Sequence, residues 1–267
     1  MTVHPLDDAV RLTPGADGAL VGRTTAPYAN MVGPFGGTTA AALLHAVELH
    51  DDRAGDPVAL TVNFAAPIAE GEFRIDTALM RANRTNQHWT MTLTQPNGVM
   101  TTATAVFGIR RETWSEVEAV MPDAPAPETL ERFPTLEGIP FMRNYDLRYV
   151  AGPPPVDGVG QPSSTTTLWA RDYPARPLDF AALTALSDIF YPRIYRRLGR
   201  PVPAGTISMT TYFHVDAAGL AAVGDEFVLA TARGQQYARG YLDQTGQVWS
   251  RDGRLLVTTH QIVYYKD

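Results

Sequence analysis

An internal repeat constrains the fold of this chain more than any other feature of its sequence. Val62-Asn-Phe64 in the first half corresponds to Tyr212-Phe213-His214 in the second, and Phe64 and Phe213 are 149 residues apart. Asn97-Gly98 and Asp252-Gly253, both strong hairpin signals, place their glycines 155 residues apart. A nearly constant offset with one small insertion predicts a duplicated unit. The alternative is that any two halves built from strands and hairpins look alike.

The predicted elements follow the same order in both halves. A strand-like stretch comes first, at Gly18 to Thr25 and at Thr165 to Arg171. One apolar helix follows, at Thr38 to His50 and at Asp179 to Leu198, and β-rich segments complete each half. Each half is therefore expected to contain one long helix and one antiparallel sheet.

A proline-rich segment separates the two halves. Nine of the 21 prolines lie between Met121 and Pro162, and proline both removes a backbone donor and interrupts regular elements. We therefore predict an N-terminal unit at 1–112, a connector at 113–163 and a C-terminal unit at 164–267. The connector is expected to pack on the body of the protein through four of its aromatic residues, Phe133, Phe141, Tyr145 and Tyr149.

The second predicted helix is apolar almost all the way round. Leu183, Leu186 and Ile189 lie on one side of it, and Ala181 and Ala185 on the other. A helix without a polar face must be wrapped by other structure rather than laid on a surface. The pattern predicts an α+β fold of the double hotdog type, with two antiparallel sheets each wrapped around a central helix.

Composition narrows the class of protein. The chain has 22 basic and 28 acidic side chains, a net charge of −6 and no basic block, which argues against nucleic acid or an anionic membrane as a partner. It has no cysteine, which excludes disulfides, a thiol nucleophile and cysteine-type zinc or iron–sulfur sites. The first residues lack the pattern of a signal peptide, and no apolar run approaches a membrane span. We expect a soluble, cytoplasmic protein.

Several common catalytic motifs are missing from the sequence. No serine lies in a Gly-x-Ser-x-Gly elbow, and there is no Walker A loop or Gly-x-Gly-x-x-Gly. His45 and His50 are five residues apart, so they do not form the i, i+4 zinc pair of a metalloprotease helix. We expect neither a metal nor a cofactor.

Three polar residues stand out in apolar or strand-like surroundings. Asp188 falls within the second predicted helix, where a carboxylate is costly unless it is paired, hydrogen-bonded or used; it could also join a local network or pair with Arg193. Thr206 begins a strand-like run in which threonine is common, and Gln261 ends the last strand run, in which glutamine is uncommon. Each of the three therefore has an ordinary structural explanation when it is taken alone.

Taken together, these residues resemble the acyl-CoA thioesterase II family, whose members have a double hotdog fold. The resemblance covers most of the chain outside the connector and is carried by the following motifs: Leu186-Ser-Asp188, Thr206-Ile-Ser-Met-Thr-Thr-Tyr-Phe-His214, Ala238-Arg239-Gly240, Asp252-Gly-Arg-Leu-Leu-Val-Thr-Thr-His-Gln261 and Phe35-Gly36-Gly37. It implies an Asp–Thr–Gln set, here Asp188, Thr206 and Gln261, that holds a water for attack on a thioester. The chain departs from the family at Ser208 and Met209, where members often have Asp-His.

This chemistry is physically reasonable for a thioester. A carboxylate can act as general base on a positioned water, and a hydroxyl and an amide can orient that water. Backbone N–H groups at a helix N-terminus can stabilise the oxyanion, and Gly36 and Gly37 would let substrate approach that backbone; an ordinary glycine-rich start of a helix is the alternative. With the repeat offsets, Pro57 and Val106 take the positions of Thr206 and Gln261, which predicts one active site per chain.

The leading hypothesis is a metal-independent acyl-CoA thioesterase that produces free acid and CoA in lipid metabolism. A non-catalytic acyl- or ligand-binding protein on the same fold is the main alternative, because a fold does not determine a function. A hotdog hydratase would need an Asp/His dyad, and no convincing helical Asp-x-x-x-x-His is present. The family resemblance further implies an acyl-CoA partner and a homo-oligomer.

Overall fold

Long antiparallel strands dominate this protein, whose computed structural model describes residues 3–15, 17–155 and 157–267. The helices are α1 Pro5–Ala9, α2 Gly36–Glu48, α3 Phe180–Leu186, α4 Arg193–Leu198 and α5 Ala217–Val223, with 3-10 turns at Ala26–Tyr28, Pro127–Thr129 and Pro140–Asn144. The strands are β1 Thr13–Pro14, β2 Leu20–Arg23, β3 Asp56–Phe64, β4 Glu72–Ala82, β5 Asn86–Gln95, β6 Gly98–Gly108, β7 Tyr145–Ala151, β8 Thr166–Asp172, β9 Ala204–Phe213, β10 Val228–Arg233, β11 Tyr237–Ala238, β12 Tyr241–Ser250 and β13 Leu255–Tyr265.

The strands form one sheet rather than the two separate sheets that we predicted. Within the described residues the sheet has 13 strands in the order β1-β2-β4-β5-β6-β3-β9-β13-β12-β10-β8-β7, and β11 pairs with β12. The halves join where β3 and β9 pair antiparallel, because each strand still offers a free edge on the side away from its own half. The prediction of two independent sheets is therefore wrong, while the antiparallel pairing within each half is confirmed.

The helix of the first half is buried and packs against strands of the sheet. Helix α2 begins at Gly36, two residues before its predicted start, and nearly all its residues from Gly37 to Val47 are buried. It packs against helix α3 of the second half. The alternation of strand β5, in which Trp89, Met91 and Leu93 are buried, supplies part of the apolar wall around it.

The predicted second helix is divided into two, which corrects the position of Asp188. Helix α3 ends at Leu186 and α4 begins at Arg193, so Asp188 lies in the connecting loop rather than within a helix. Pro192 explains the interruption, because proline lacks an N–H and disfavours helical geometry at the residue before it. The Ser187 hydroxyl also donates to the Leu183 carbonyl oxygen at 2.8 Å at the end of α3.

The proline-rich segment packs on the body, as its aromatic residues predicted. Phe141 stacks on Phe35 with ring centroids 4.1 Å apart, and Tyr145 is buried. The segment also contains strand β7, which pairs with β8 and extends the sheet. Strand β7 itself contains no proline, so its backbone donors remain free for pairing. No helix among the described residues is long and apolar enough to cross a membrane.

Candidate functional site

The side chain of Asp188 is held by groups from two different elements. Its Oδ1 accepts a hydrogen bond of 2.9 Å from Nε2 of Gln261, which lies on strand β13. Its Oδ2 faces the start of helix α2, where a Cβ added to Gly36 would lie 2.8 Å away. Asp188 does not pair with Arg193, which excludes the salt bridge that we considered from the sequence. The carboxylate is thus turned toward the helix N-terminus.

Gln261 links the other two predicted residues. Its side chain is 2% exposed, and its Oε1 accepts a hydrogen bond of 3.2 Å from the Thr206 hydroxyl. The orientation of this amide follows from its neighbours, because only Nε2 can donate to the carboxylate. The hydrogen bonds therefore run in one direction: Thr206 donates to Gln261, and Gln261 donates to Asp188.

A local irregularity of the sheet aims Thr206 inward. Thr206 pairs with Val263, whereas Ser208 pairs with Ile262, so one extra residue, Ile207, is accommodated in β9. Such a bulge reorients the side chains beside it. Here it allows the hydroxyl of Thr206 to reach Gln261 while the exposed Ile207 faces away.

Helix α2 presents an uncapped N-terminus to Asp188. Phe35 occupies the N-cap position and supplies no side-chain hydrogen bond, whereas Asp179 caps helix α3 through the amide of Ala182. The first N–H groups of a helix need external partners. Gly36 and Gly37 therefore offer backbone donors next to the carboxylate of Asp188.

Burial controls the ionisation of Asp188. The residue is half-buried by accessible surface, but protein surrounds its carboxylate, and this desolvation raises the pKa of Asp188 to about 7. The hydrogen bond from Gln261 and the backbone amide of Gly37 both act to lower the pKa, in that order of size. A carboxylate with this pKa is poised to accept a proton near neutral pH.

The two departures from the family pattern occupy different environments. Met209 is buried opposite Gln261, and its Sδ lies 3.4 Å from Nε2 of Gln261, so it takes the second hydrogen of that amide. Ser208 precedes Met209 on β9 and therefore lies on the other face, beside Asn63 of β3. The departure that reaches a predicted site residue through a hydrogen bond is Met209.

The sheet register revises one correspondence between the halves. Leu60 and Met209 are 149 residues apart and pair with Ala105 and Gln261 respectively, so Ala105, rather than the predicted Val106, is the counterpart of Gln261. Pro57 remains the counterpart of Thr206 at the same offset. Neither Pro57 nor Ala105 carries a polar side-chain group.

Two buried polar residues lie near the site, of which Gln244 was not predicted from the sequence and Arg193 was considered only as a partner of Asp188. Gln244 is the cross-strand partner of Gln261, and Arg193 follows the loop that carries Asp188. The alternation of β12 could have identified Gln244 as a buried residue, because Gln244 shares its face of the strand with Leu242 and Val248, which are both buried. Within the described ranges, no three His, Asp or Glu side chains converge as a metal would require.

The chain matches two consecutive family descriptions. Residues 25–108 match the acyl-CoA thioesterase N-terminal domain, and residues 119–265 match the acyl-CoA thioesterase C-terminal domain. The chain therefore belongs to the acyl-CoA thioesterase family, and the resemblance inferred from its motifs is confirmed. A comparison with curated proteins returned no match.

Solved structures with the same fold differ widely in their sequence identity to this chain. A conserved protein of unknown function with a hot dog fold from Alicyclobacillus acidocaldarius is 48% identical, with a TM-score of 0.95 over 100% of this chain and 99% of that one. The acyl-CoA thioesterase II TesB2 from Mycobacterium marinum is 18% identical, with a TM-score of 0.75 and 98% of both chains covered. The tesB protein from Mycobacterium avium subspecies paratuberculosis is 17% identical, with a TM-score of 0.78 and the same coverage. These likenesses establish the hotdog fold.

Proposed function

We propose that this protein is an acyl-CoA thioesterase that hydrolyses an acyl thioester to a free acid and CoA without a metal. One observation carries the proposal: Gln261 hydrogen-bonds to both Asp188 and Thr206, at 2.9 Å and 3.2 Å, although the three residues come from separate segments. Membership of the acyl-CoA thioesterase family supports the same reaction class.

In the proposed mechanism, Asp188 is the general base. The Thr206 hydroxyl donates its hydrogen to Gln261, so its lone pairs are free to accept one hydrogen of a water, while Asp188 accepts the other. The water oxygen attacks the thioester carbon as its proton passes to Asp188. The C–S bond then breaks, and the proton is returned to the sulfur of CoA.

Gly36 and Gly37 are proposed to stabilise the charge that develops on the carbonyl oxygen. Their backbone N–H groups lie at the uncapped start of α2. Preorganised donors of this kind often make the largest single contribution to the rate enhancement of acyl-transfer enzymes. The lack of a Cβ at Gly36 keeps the space next to Asp188 Oδ2 open.

The quaternary and domain arrangements are also proposals. We infer a double hotdog with units at 1–112 and 164–267, a connector at 113–163, one active site per chain and a cytoplasmic homo-oligomer acting in lipid metabolism. The charge pattern supports self-association, because the five neighbouring strands β5, β6, β3, β9 and β13 contain one Asp, Glu, Lys or Arg residue, Asp56. Depletion of charge is typical of the cores of protein interfaces.

Thiol release from a panel of acyl-CoA substrates tests the proposed reaction. We expect turnover by the wild type and losses of about 10²–10⁴-fold for Asp188→Asn, in line with the usual contribution of a general base. Gln261→Ala and Thr206→Val are expected to lower kcat, and Thr206→Ser to retain activity. Full activity in Asp188→Asn and Gln261→Ala would refute the site. Binding of acyl-CoA without turnover would favour the alternative, a non-catalytic acyl-binding protein.

A further inference from the structure

Arg193 is a fully buried cation that has no carboxylate partner among the described residues. Its guanidinium donates to the Tyr191 and Ser164 carbonyl oxygens, to Thr166 Oγ1 and to Oε1 of Gln244. Burying an unpaired charge is unfavourable, and a glutamate at position 244 would compensate it directly. The chain has a neutral amide there instead.

The amide of Gln244 has one satisfied end and one free end. Oε1 accepts a hydrogen bond of 3.0 Å from Arg193 Nε, whereas Nε2 is buried and has no hydrogen-bond partner. Arg193 determines this orientation, because the reverse orientation would place two donors against each other. A buried unpartnered donor is costly and uncommon, so it calls for an explanation.

The residue that carries this free donor is the cross-strand neighbour of a candidate catalytic residue. Gln244 and Gln261 are directly opposite each other on β12 and β13, and both side chains point into the interior, where they are 1% and 2% exposed. Opposite residues of an antiparallel pair have Cβ atoms roughly 5 Å apart. Gln261 in turn donates to Asp188, so two buried amides stand side by side at the site.

We infer that Gln244 is a substrate-binding residue whose Nε2 donates to an acceptor oxygen of the acyl thioester, and that Arg193 is the positioning residue that orients this amide. The inference rests on the proposed function. A purely structural role would use only the Oε1 atom of Gln244, and a glutamate would provide that acceptor together with a compensating charge. The binding role requires the side-chain N–H₂ group, which glutamine has and glutamate lacks. The acceptor is either the thioester carbonyl oxygen or an oxygen further along the acyl chain.

The central test is Gln244→Glu, with Gln247→Glu on the outer face of the same strand as the matched control. Glutamate keeps an acceptor for Arg193 and removes the donor, so the thermal midpoint is expected to stay the same or rise. Gln244→Met, which removes the donor without adding a charge, is the second variant. Each enzyme is assayed on butanoyl-CoA and on 3-hydroxybutanoyl-CoA at the plateau of its own pH profile.

The two substrates identify the acceptor. A fall in kcat of about 10²–10³-fold on both substrates supports donation to the thioester carbonyl. A fall in kcat/KM of about tenfold confined to the hydroxylated substrate supports donation to the acyl chain. Unchanged kinetics in folded Gln244→Glu, or a loss that disappears at its plateau pH, would overturn the inference.

A binding measurement separates this inference from the proposed function. If the wild type cleaves none of the acyl-CoA panel, the hydrolase proposal fails, but a non-hydrolysable thioether analogue of each substrate can still be titrated calorimetrically. Affinity about tenfold lower in Gln244→Glu than in Gln247→Glu, with a shift of the Gln244 side-chain amide resonance in the wild type, supports the contact. Equal affinities and an unmoved resonance exclude it.

Discussion

Thr61 and Thr210 face each other at the centre of the junction between the two halves, with their hydroxyl oxygens 3.1 Å apart. They are 149 residues apart, the same offset that relates Phe64 to Phe213. The pairing is symmetric around them, since Ala59 lies opposite Tyr212 and Asn63 lies opposite Ser208. A local two-fold relationship between the halves therefore passes through this threonine pair.

The first prediction concerns this junction. Thr61→Glu combined with Thr210→Glu places like charges directly opposite each other, which should lower the free energy of unfolding by about 0.2–1 kcal/mol. Thr61→Glu combined with Thr210→Lys places opposite charges there and should return the free energy of unfolding to about the wild-type value. Urea unfolding of both double variants measures the difference. Equal stabilities would show that the β3–β9 pairing does not form in solution.

The repeat and the strand-rich halves could be predicted because their signals are local. The 149-residue offset identifies β3 and β9 as equivalent strands, but a pattern of hydrophobic residues does not reveal whether two free strand edges will meet, or in which register. This is why one continuous sheet was missed. The start of α2 at Gly36 was missed by two residues for a related reason, since no side-chain cap marks that helix end.

The site was predictable where a motif carried it and was missed where a tertiary contact defines it. Asp188, Thr206 and Gln261 were found by family resemblance, although Pro192 places Asp188 in a loop. Gln244 was missed because an inward-facing glutamine looks ordinary until its buried arginine partner is known, and Arg193 was considered only as a partner of Asp188. Spacing alone does not predict a contact between residues 51 positions apart.

The second prediction is the pH dependence of activity. Burial raises the pKa of Asp188 to about 7, and the residue must be ionised to accept a proton from water. We therefore expect kcat/KM to rise tenfold per pH unit below about pH 7 and to level off above it. A profile measured from pH 5 to 9 tests this. A limb near pH 4 would instead indicate a solvated carboxylate.

The third prediction links the same carboxyl group to stability. The folded protein retains a proton on Asp188 that the unfolded chain releases above the ordinary aspartate pKa of 3.8, so stability falls as pH rises from about 4 to 7. Asp188→Asn removes this cost and should stabilise the protein at pH 8 by roughly 2 kcal/mol or more, although it abolishes the general base.

The pH dependence of that difference is the decisive measurement. Denaturant unfolding should show the Asp188→Asn advantage growing between pH 4 and 7 and remaining constant above pH 7. The exposed Asp225 provides the control variant Asp225→Asn, which also removes one carboxyl group from the protein. A constant advantage for Asp188→Asn at every pH would argue against desolvation as its cause.

The fourth prediction contrasts two adjacent glycines at the start of α2. Alanine at position 36 suits helical backbone better than glycine does, but its Cβ would lie 2.8 Å from Oδ2 of Asp188 and must displace the carboxylate. Gly36→Ala should therefore lower kcat by more than tenfold, because small displacements of a catalytic group are costly. The free energy of unfolding should stay within about 1 kcal/mol of the wild-type value.

Gly37→Ala should behave in the opposite way. Its Cβ would lie 2.6 Å from the Ala185 carbonyl oxygen and 2.6 Å from the ring of Phe35, so α2 and α3 would have to separate. Overpacking of this kind costs about 1–3 kcal/mol, which should appear as a lower urea midpoint. Thiol release and urea unfolding of the two variants distinguish the roles. A large loss of stability in Gly36→Ala with unchanged kcat would mean that Gly36 serves packing and leaves Asp188 undisturbed.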